Sequence, residues 1–421
     1  MYKQYISYAV LLLASTLCVT AQAYANDQAL AETPVFKRVP PAYEPDGLKW
    51  GGFIVKPQIE VETRYDDNIY SAETAEKSDF IVKTTPSISI TKEYKDNAFW
   101  FSGEYGMERY AENDEEDQDT LEGLFGGLVR LTSRLTSGFE FMAAKSYLNR
   151  DTPGSSRQTA RPVEAYTSSA EGFVNYNRNR LNLKFLGNVA RKSYNDSADA
   201  ATGNTIYFSD KNRMVYGGAL ETSYQLLKTD DTEHKFFTNF TYEKSIYDEN
   251  SNALSANDYS EAGILAGFST AYKGLLFGKI GVGYVRQDFK NTPNQDLWDI
   301  EVDLAYNITP KTTLKALAGR ELKQDNSFVA GYLDTSYTLG VDHEFLHNLY
   351  GGASFTYSDL DFSGGQSTRQ DSDYITNMYL KYYHNTNFES RLGWRYKERD
   401  SNTAGASFDN NIFMYSLTGK L

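Results

Sequence analysis

From Leu121 to Tyr147 apolar and polar positions alternate. Leu121, Gly123, Phe125, Gly127, Val129 and Leu131 stand at every second place, with Glu122, Arg130 and small residues between them. Thr132, Ser133, Arg134 and Leu135 then turn the chain, and the alternation resumes through Phe139, Phe141, Ala143 and Tyr147, with Glu140 and Ser146 on the other face. A period of two sends successive side chains to opposite faces, so this stretch predicts two strands joined in a hairpin.

The same pattern recurs to the last residue. Phe53, Val55, Ile59 and Val61 mark the first strand, which contains Pro57; Val82, Pro86, Ile88 and Ile90 mark the second; Phe99, Phe101, Tyr105 and Met107 mark the third. After the Leu121–Tyr147 hairpin come Tyr166–Tyr176, Leu181–Val189, Met214–Tyr224, Phe236–Tyr242, Ile264–Tyr272 and Leu276–Tyr284. Trp298–Ile308, Leu314–Leu322, Val329–Val341, Leu349–Tyr357, Tyr374–Tyr382, Phe388–Tyr396 and Phe413–Leu421 complete the set. The reading is all-β, about eighteen strands with sixteen as the alternative, each boundary good to roughly two to four residues.

The connections alternate short and long. Lys95-Asp96-Asn97, the 132–135 turn, Lys273-Gly274 and Pro310-Lys311 are brief, whereas 66–78, 149–161, 195–211, 248–258 and 397–409 are long and polar; only 323–327 is a brief member of the second set. Short turns on one rim and long loops on the other predict a transmembrane antiparallel up-and-down β-barrel of the bacterial outer membrane, occupying 52–421. Tyr65, Tyr94, Tyr110, Tyr147, Tyr176, Tyr194, Tyr224, Tyr272, Trp298, Tyr306 and Tyr396 gather near strand ends, as aromatic girdles at the two headgroup levels would. Outer-membrane lipid and the barrel-assembly machinery are the partners this implies. The last strand ends on Leu421, where the usual assembly signal ends in Phe or Trp.

Composition agrees. The chain carries a formal charge of −14, 33 Tyr and 24 Phe, and one Cys. Mean hydropathy is −0.55, because lipid-facing and water-facing residues of each strand cancel. Residues 1–25 read as a signal peptide: Lys3, an apolar stretch from Ala9 to Val19, and Ala23-Tyr24-Ala25 before Asn26, with cleavage after Ala25 or Ala23. The lone Cys18 lies within it, so no thiol is expected in the mature chain. Residues 26–51, with Pro34, Pro40, Pro41 and Pro45, read as a periplasmic proline-rich segment, either a leader or a piece folded back into a pore.

Catalytic chemistry has little to rest on. His234, His343, His347 and His384 fall near the short turns, and there is no nucleophile motif and no Cys/His cluster. The acidic runs 65–68 and 113–119 match no calcium-loop spacing. No enzyme activity, cofactor, metal or nucleic acid is expected. The strand parity sends Lys56, Glu60, Glu62, Arg64, Glu104, Glu108, Glu122, Glu140, Glu171, Lys184, Glu221, Glu243, Asp299, Glu301, Asp303, Asp334, Lys381, Glu389, Arg391 and Arg395 inward, along with Trp100, Tyr379 and Tyr383. Acids predominate there, which disfavours anionic solutes and a strongly anionic polymer. Aromatic faces beside carboxylates suit sugars. The plain alternative for each carboxylate is an ion pair with a neighbouring strand.

At Trp50-Gly51-Gly52-Phe53-Ile54-Val55-Lys56-Pro57 and Tyr65-Asp66-Asp67-Asn68-Ile69-Tyr70 the chain resembles the putative β-barrel porin type 2 family. The resemblance implies export of an extracellular or capsular polysaccharide, alongside periplasmic export and copolymerase proteins. A general or cation-preferring diffusion porin is the alternative, and a structural or adhesive barrel acting through its loops is a third. Asp66, Asp67 and Asn68 carry no role over from the resemblance; a turn that starts a loop is the simple reading.

Overall fold

Alternation becomes pleat in eighteen long strands. The computed structural model describes residues 33–38, 40–152, 159–248, 258–290, 293–323, 331–362 and 368–421. The predicted signal peptide, the Val329 strand start and the 323–327 loop lie outside these residues, wholly or nearly so. Strands β1 (Phe53–Asp66), β2 (Asp79–Tyr94), β3 (Asn97–Tyr110), β4 (Gln118–Arg130), β5 (Leu135–Tyr147), β6 (Glu164–Arg178), β7 (Leu181–Tyr194), β8 (Arg213–Lys228) and β9 (Thr232–Tyr247) are followed by nine more. These are β10 (Tyr259–Tyr272), β11 (Leu276–Phe289), β12 (Gln295–Thr309), β13 (Thr312–Lys323), β14 (Tyr332–Leu346), β15 (Leu349–Asp361), β16 (Gln370–Tyr383), β17 (Phe388–Ser401) and β18 (Phe408–Lys420).

Each strand pairs antiparallel with its neighbours in sequence, and β18 pairs back with β1 from Gln58↔Lys420 to Asp66↔Ile412. The result is a closed up-and-down barrel of eighteen strands. Closure removes the unpaired edges that a bilayer could not hydrate. No helix among the described residues is long and apolar enough to cross a membrane; the crossing is made by strands.

Several strands outrun their apolar marks. The predicted Phe236–Tyr242 segment is the middle of the 16-residue β9. Its polar ends, among them His234, Lys235, Glu243 and Lys244, extend the ladder with β8 and β10, because backbone pairing continues where side chains leave the apolar band. Pro86 lies within β2, and the β2–β3 register runs from Thr84↔Met107 to Ser87↔Glu104, passing over it; a residue without an N–H interrupts the ladder there.

The outer face is apolar and uncovered. Phe185, Phe268, Val282 and Leu339 are each more than 60% exposed, an arrangement that only lipid would shield. Phe139 packs between Phe125 and Phe141 on this face, with ring centroids 5.6 and 5.7 Å away. Tyr65, Tyr94, Tyr224, Tyr272, Trp298 and Tyr306 are exposed near strand ends as girdle residues should be. Tyr110 and Tyr194 depart from that expectation. Tyr110 lies two places beyond inward-facing Glu108 and donates its hydroxyl to that carboxylate at 3.2 Å, and Tyr194 shares the parity of inward-facing Lys184, so both sit on the lumen side.

The segment before β1 is ordered where it meets the barrel. Leu48–Trp50 forms a short strand against Phe53–Val55. Gly51 and Gly52, at φ +56° and +81°, make the two-residue turn between them, a left-handed pair that side-chain-bearing residues resist. This hairpin covers the edge of β1 where β18 has ended. Pro57 marks the change of partner, and its carbonyl accepts the Leu421 N–H at 3.1 Å. Further back, Val35–Lys37 and Pro41–Tyr43 form single 3-10 turns.

Candidate functional site

The lumen wall follows from parity. On β3, Phe99, Phe101 and Tyr105 point outward, each about 40% exposed, so the alternating Trp100, Glu104 and Glu108 face inside. The same reasoning places Glu122, Glu140, Asp299, Glu301, Asp303, Tyr379, Tyr383, Arg391 and Arg395 on the lumen side. All twelve candidates therefore share one surface, although β3 and β17 lie in different sectors of it.

Some of them are already partnered. Glu108 and Glu62 both pair with Arg64, Glu301 pairs with Lys279, and Lys184 reaches Glu221 at 3.5 Å. Lys315 holds Asp342 at 2.7 Å, and Glu389 takes Lys381 and Lys420, both at 2.8 Å. Other carboxylates are left without such a partner. Glu104 stands directly across the ladder from Glu122, and Glu140 directly across from Glu171. None of these four has an ion-pair partner among the described residues. Like charges at opposed positions are mutually unfavourable, so this row on β3–β6 costs the fold stability.

Trp100 lies within the row. Its Nε1 donates to Glu140 at 3.4 Å. Its partner on β4 is Gly126, and a Cβ added to that glycine would meet the indole at 2.5 Å. The ring thus occupies the space a side chain at 126 would fill, on the lumen side of the wall. The Asp342 carboxylate and the Tyr379 ring lie together over Gly352, and Phe173 lies over Gly138. Phe173 shares the parity of inward-facing Glu171, but its apolar side chain kept it out of the sequence-predicted lumen residues. Cations lie over two of these rings: Lys184 over Phe173 at 5.3 Å and Arg391 over Tyr379 at 4.8 Å.

The N-terminal segment occupies part of the inner face at the short-turn rim. The Val35 N–H donates to Thr313 Oγ1 at 2.8 Å, and Arg38 donates to the Pro310 carbonyl at 2.5 Å and pairs with Glu344 at 3.2 Å. Tyr43 stacks on Tyr383 with centroids 5.4 Å apart. Tyr383 faces the lumen as expected, but its own N-terminal segment covers it.

At the opposite, long-loop rim, the β5–β6 connection bends inward. Arg150 and Glu116 are both buried and paired, with Arg150 Nε donating to Glu116 Oε2 at 3.0 Å. Asp151, next along the chain, reaches β17: Lys397 Nζ lies 2.9 Å and Arg395 4.0 Å from its carboxylate. Arg399 donates to its backbone carbonyl at 3.0 Å and grips Asp373 with two bonds of 2.6 Å. Burial opposes ionisation of Asp151, yet Lys397, Arg395 and Arg399 hold its carboxyl well below the ordinary aspartate range. No local pattern marks Asp151, since its partners lie some 246 residues away.

No group of three or more His, Cys, Asp or Glu able to hold a metal occurs among the described residues. The acidic runs flagged above serve structure instead. Asp66 Oδ1 accepts the Asn68 N–H at 2.9 Å, and Asn68, fully buried, bonds Ala72 and the Asp409 carbonyl.

A family model described as putative beta-barrel porin 2 matches residues 40–421. No curated protein matches the chain. Among solved structures, the ferric citrate transporter FecA in its unliganded form is similar at a TM-score of 0.49 and 9% identity, over 86% of this chain and 61% of that one. A ferric enterobactin receptor (PfeA) mutant from Pseudomonas aeruginosa gives 0.48 and 9%, over 87% and 80%. The ferric-catecholate import receptor Fiu from E. coli K12 gives 0.46 and 9%, over 86% and 81%.

Proposed function

We propose that this chain, which belongs to the putative beta-barrel porin 2 family, is an outer-membrane channel that carries a polysaccharide out of the cell. Trp100 supports the reading most directly. Its ring fills the space left by Gly126 on the lumen side, beside carboxylates that have no ion-pair partner among the described residues. A flat apolar surface takes the C–H face of a pyranose, and carboxylate oxygens accept hydrogen bonds from its hydroxyls. An eighteen-strand barrel is wide enough for an aqueous path. Periplasmic export and copolymerase proteins are the partners the reading calls for, delivering polymer at the short-turn rim. Deleting the chromosomal copy tests it: polymer should accumulate in the periplasm and disappear from the medium. Unchanged secretion would sink the reading.

A cation-preferring diffusion porin is the second reading, and the unpaired Glu104–Glu122 and Glu140–Glu171 pairs favour it. It requires cation selectivity in planar bilayers without any polymer phenotype.

A further inference from the structure

Unpaired carboxylates oppose one another on β3–β6, whereas β17 turns Arg391, Arg395, Lys397 and Arg399 inward on one face. Flanking β16 and β18 supply Asn377 and Ile412 across from Arg395, and Lys381 and Ser416 across from Arg391. Arg399 and Lys397 are engaged at the long-loop end by Asp373 and Asp151. Deeper in, Arg395 has only Asp151 at 4.0 Å, and Arg391 has the Tyr379 ring. Neither has a closer carboxylate among the described residues.

The carboxylate of Asp151 is therefore a ligand that the chain supplies to its own basic face. It arrives from the connection between β5 and β6, beside the opposed acids of β3–β6, and lands across the mouth on β17. We infer that the inward face of β17 is a binding track for a carboxylate-bearing glycan, one rich in uronic acid, and that Asp151 occupies the track's outer end as a tethered competitor. Arg391 and Arg395 are four residues apart on one strand, about 13 Å, so a ligand engaging both is longer than one sugar. An arginine fork matches a carboxylate with two parallel hydrogen bonds. Across a water-filled lumen, salt screens the acidic wall beyond about 8–10 Å, so one barrel can hold an acidic and a basic wall. This rests on the conduit reading and names its cargo, revising the expectation that an acidic lumen turns anionic polymers away.

The test is equilibrium binding to the purified full-length barrel in detergent, with hexagalacturonate, neutral maltohexaose and monomeric galacturonate as probes. Hexagalacturonate should bind at least tenfold more tightly than either of the others, and more weakly as salt rises. The double variant Arg391→Gln/Arg395→Gln should lose tenfold or more, the double lysine variant should recover part of it, and Asp151→Asn should bind several-fold more tightly than wild type. Heat-dependent gel mobility establishes that each variant is a folded barrel. Equal binding of maltohexaose, or an unaffected glutamine double variant, overturns the proposal; so does weaker binding by Asp151→Asn. Tight binding of the monomer would overturn the polymer as ligand. Secretion that survives chromosomal deletion while hexagalacturonate still binds would reject the conduit and leave the track.

Discussion

Asp67 and Asn411 are 344 residues apart in sequence and are joined by three hydrogen bonds. Asp67 Oδ1 accepts the Asn411 N–H at 2.6 Å, and its Oδ2 accepts the Asn411 side-chain amide at 2.9 Å. In return the Asp67 N–H donates to the Asn411 carbonyl at 3.2 Å. Beside them Asn410 Nδ2 donates to Asp66 Oδ1 and to the Asn68 carbonyl, both at 2.8 Å. The run Asp66-Asp67-Asn68 is a clasp on the seam where the first strand meets the last.

Breaking the clasp should loosen the barrel at its seam. Asn68→Ala removes side-chain bonds to Ala72 and Asp409 at a fully buried position. At roughly 1 kcal/mol per bond, with a further cost for the groups left unpaired, the loss is about 2–4 kcal/mol. Urea unfolding followed by heat-dependent gel mobility should show an earlier transition, with β1 and β18 the first to exchange amide hydrogens.

Neighbouring residues on β5 should behave oppositely. Phe139 packs on the lipid face, so Phe139→Arg should impair assembly by roughly 2–4 kcal/mol if it lies near the midplane. Glu140→Gln, on the lumen face, should fold like wild type and shift only ion selectivity, read as a reversal potential in planar bilayers.

Neutralising Glu104, Glu122, Glu140 and Glu171 together should relieve the repulsion across the two opposed pairs. The quadruple glutamine variant should be at least as stable as wild type and less cation-preferring. A large loss of stability would mean these carboxylates have structural partners.

The Asp151 contact should persist through mild acid. Its carboxyl is depressed by Lys397, Arg395 and Arg399 against the effect of burial, with Asp373 and Asp371 the acids facing the same cations. A group depressed on folding stabilises at every pH above its unfolded value, about 3.9, and loses that contribution only as pH falls through the lower folded value. The difference in conductance between wild type and Asp151→Asn should thus be the same at pH 5 and pH 7. A difference that vanished by pH 5 would contradict the depressed carboxyl.

Arg38→Ala should release the N-terminal segment from the short-turn rim, because it removes the cation that pairs with Glu344 and the donor to Pro310. Single-channel conductance should rise, and Tyr383 should become accessible to quenchers of its fluorescence once Tyr43 lifts away.

The sequence by itself determined the strands, the order of turns and loops, and, away from the strand ends, which residues face lipid. A period of two is a local property, and a closed barrel that alternates lipid and water preserves it in every strand. The hairpin Leu121–Tyr147 could be read in full for that reason, with Phe139 outward and Glu140 inward. Parity overruled strand-end position at Tyr110 and Tyr194, where the sequence reading weighed residue type and nearness to a strand end but not parity. Only the tertiary structure decided which carboxylates are paired, since Glu108 meets Arg64 and Glu122 meets another acid through cross-strand register, which depends on the turns between. It also decided that Asp151 crosses to β17, that Val35, Arg38 and Tyr43 fold against the inner wall, and that Asp67 closes on Asn411. Those contacts join segments far apart in the chain, and closing the barrel is what brings them together.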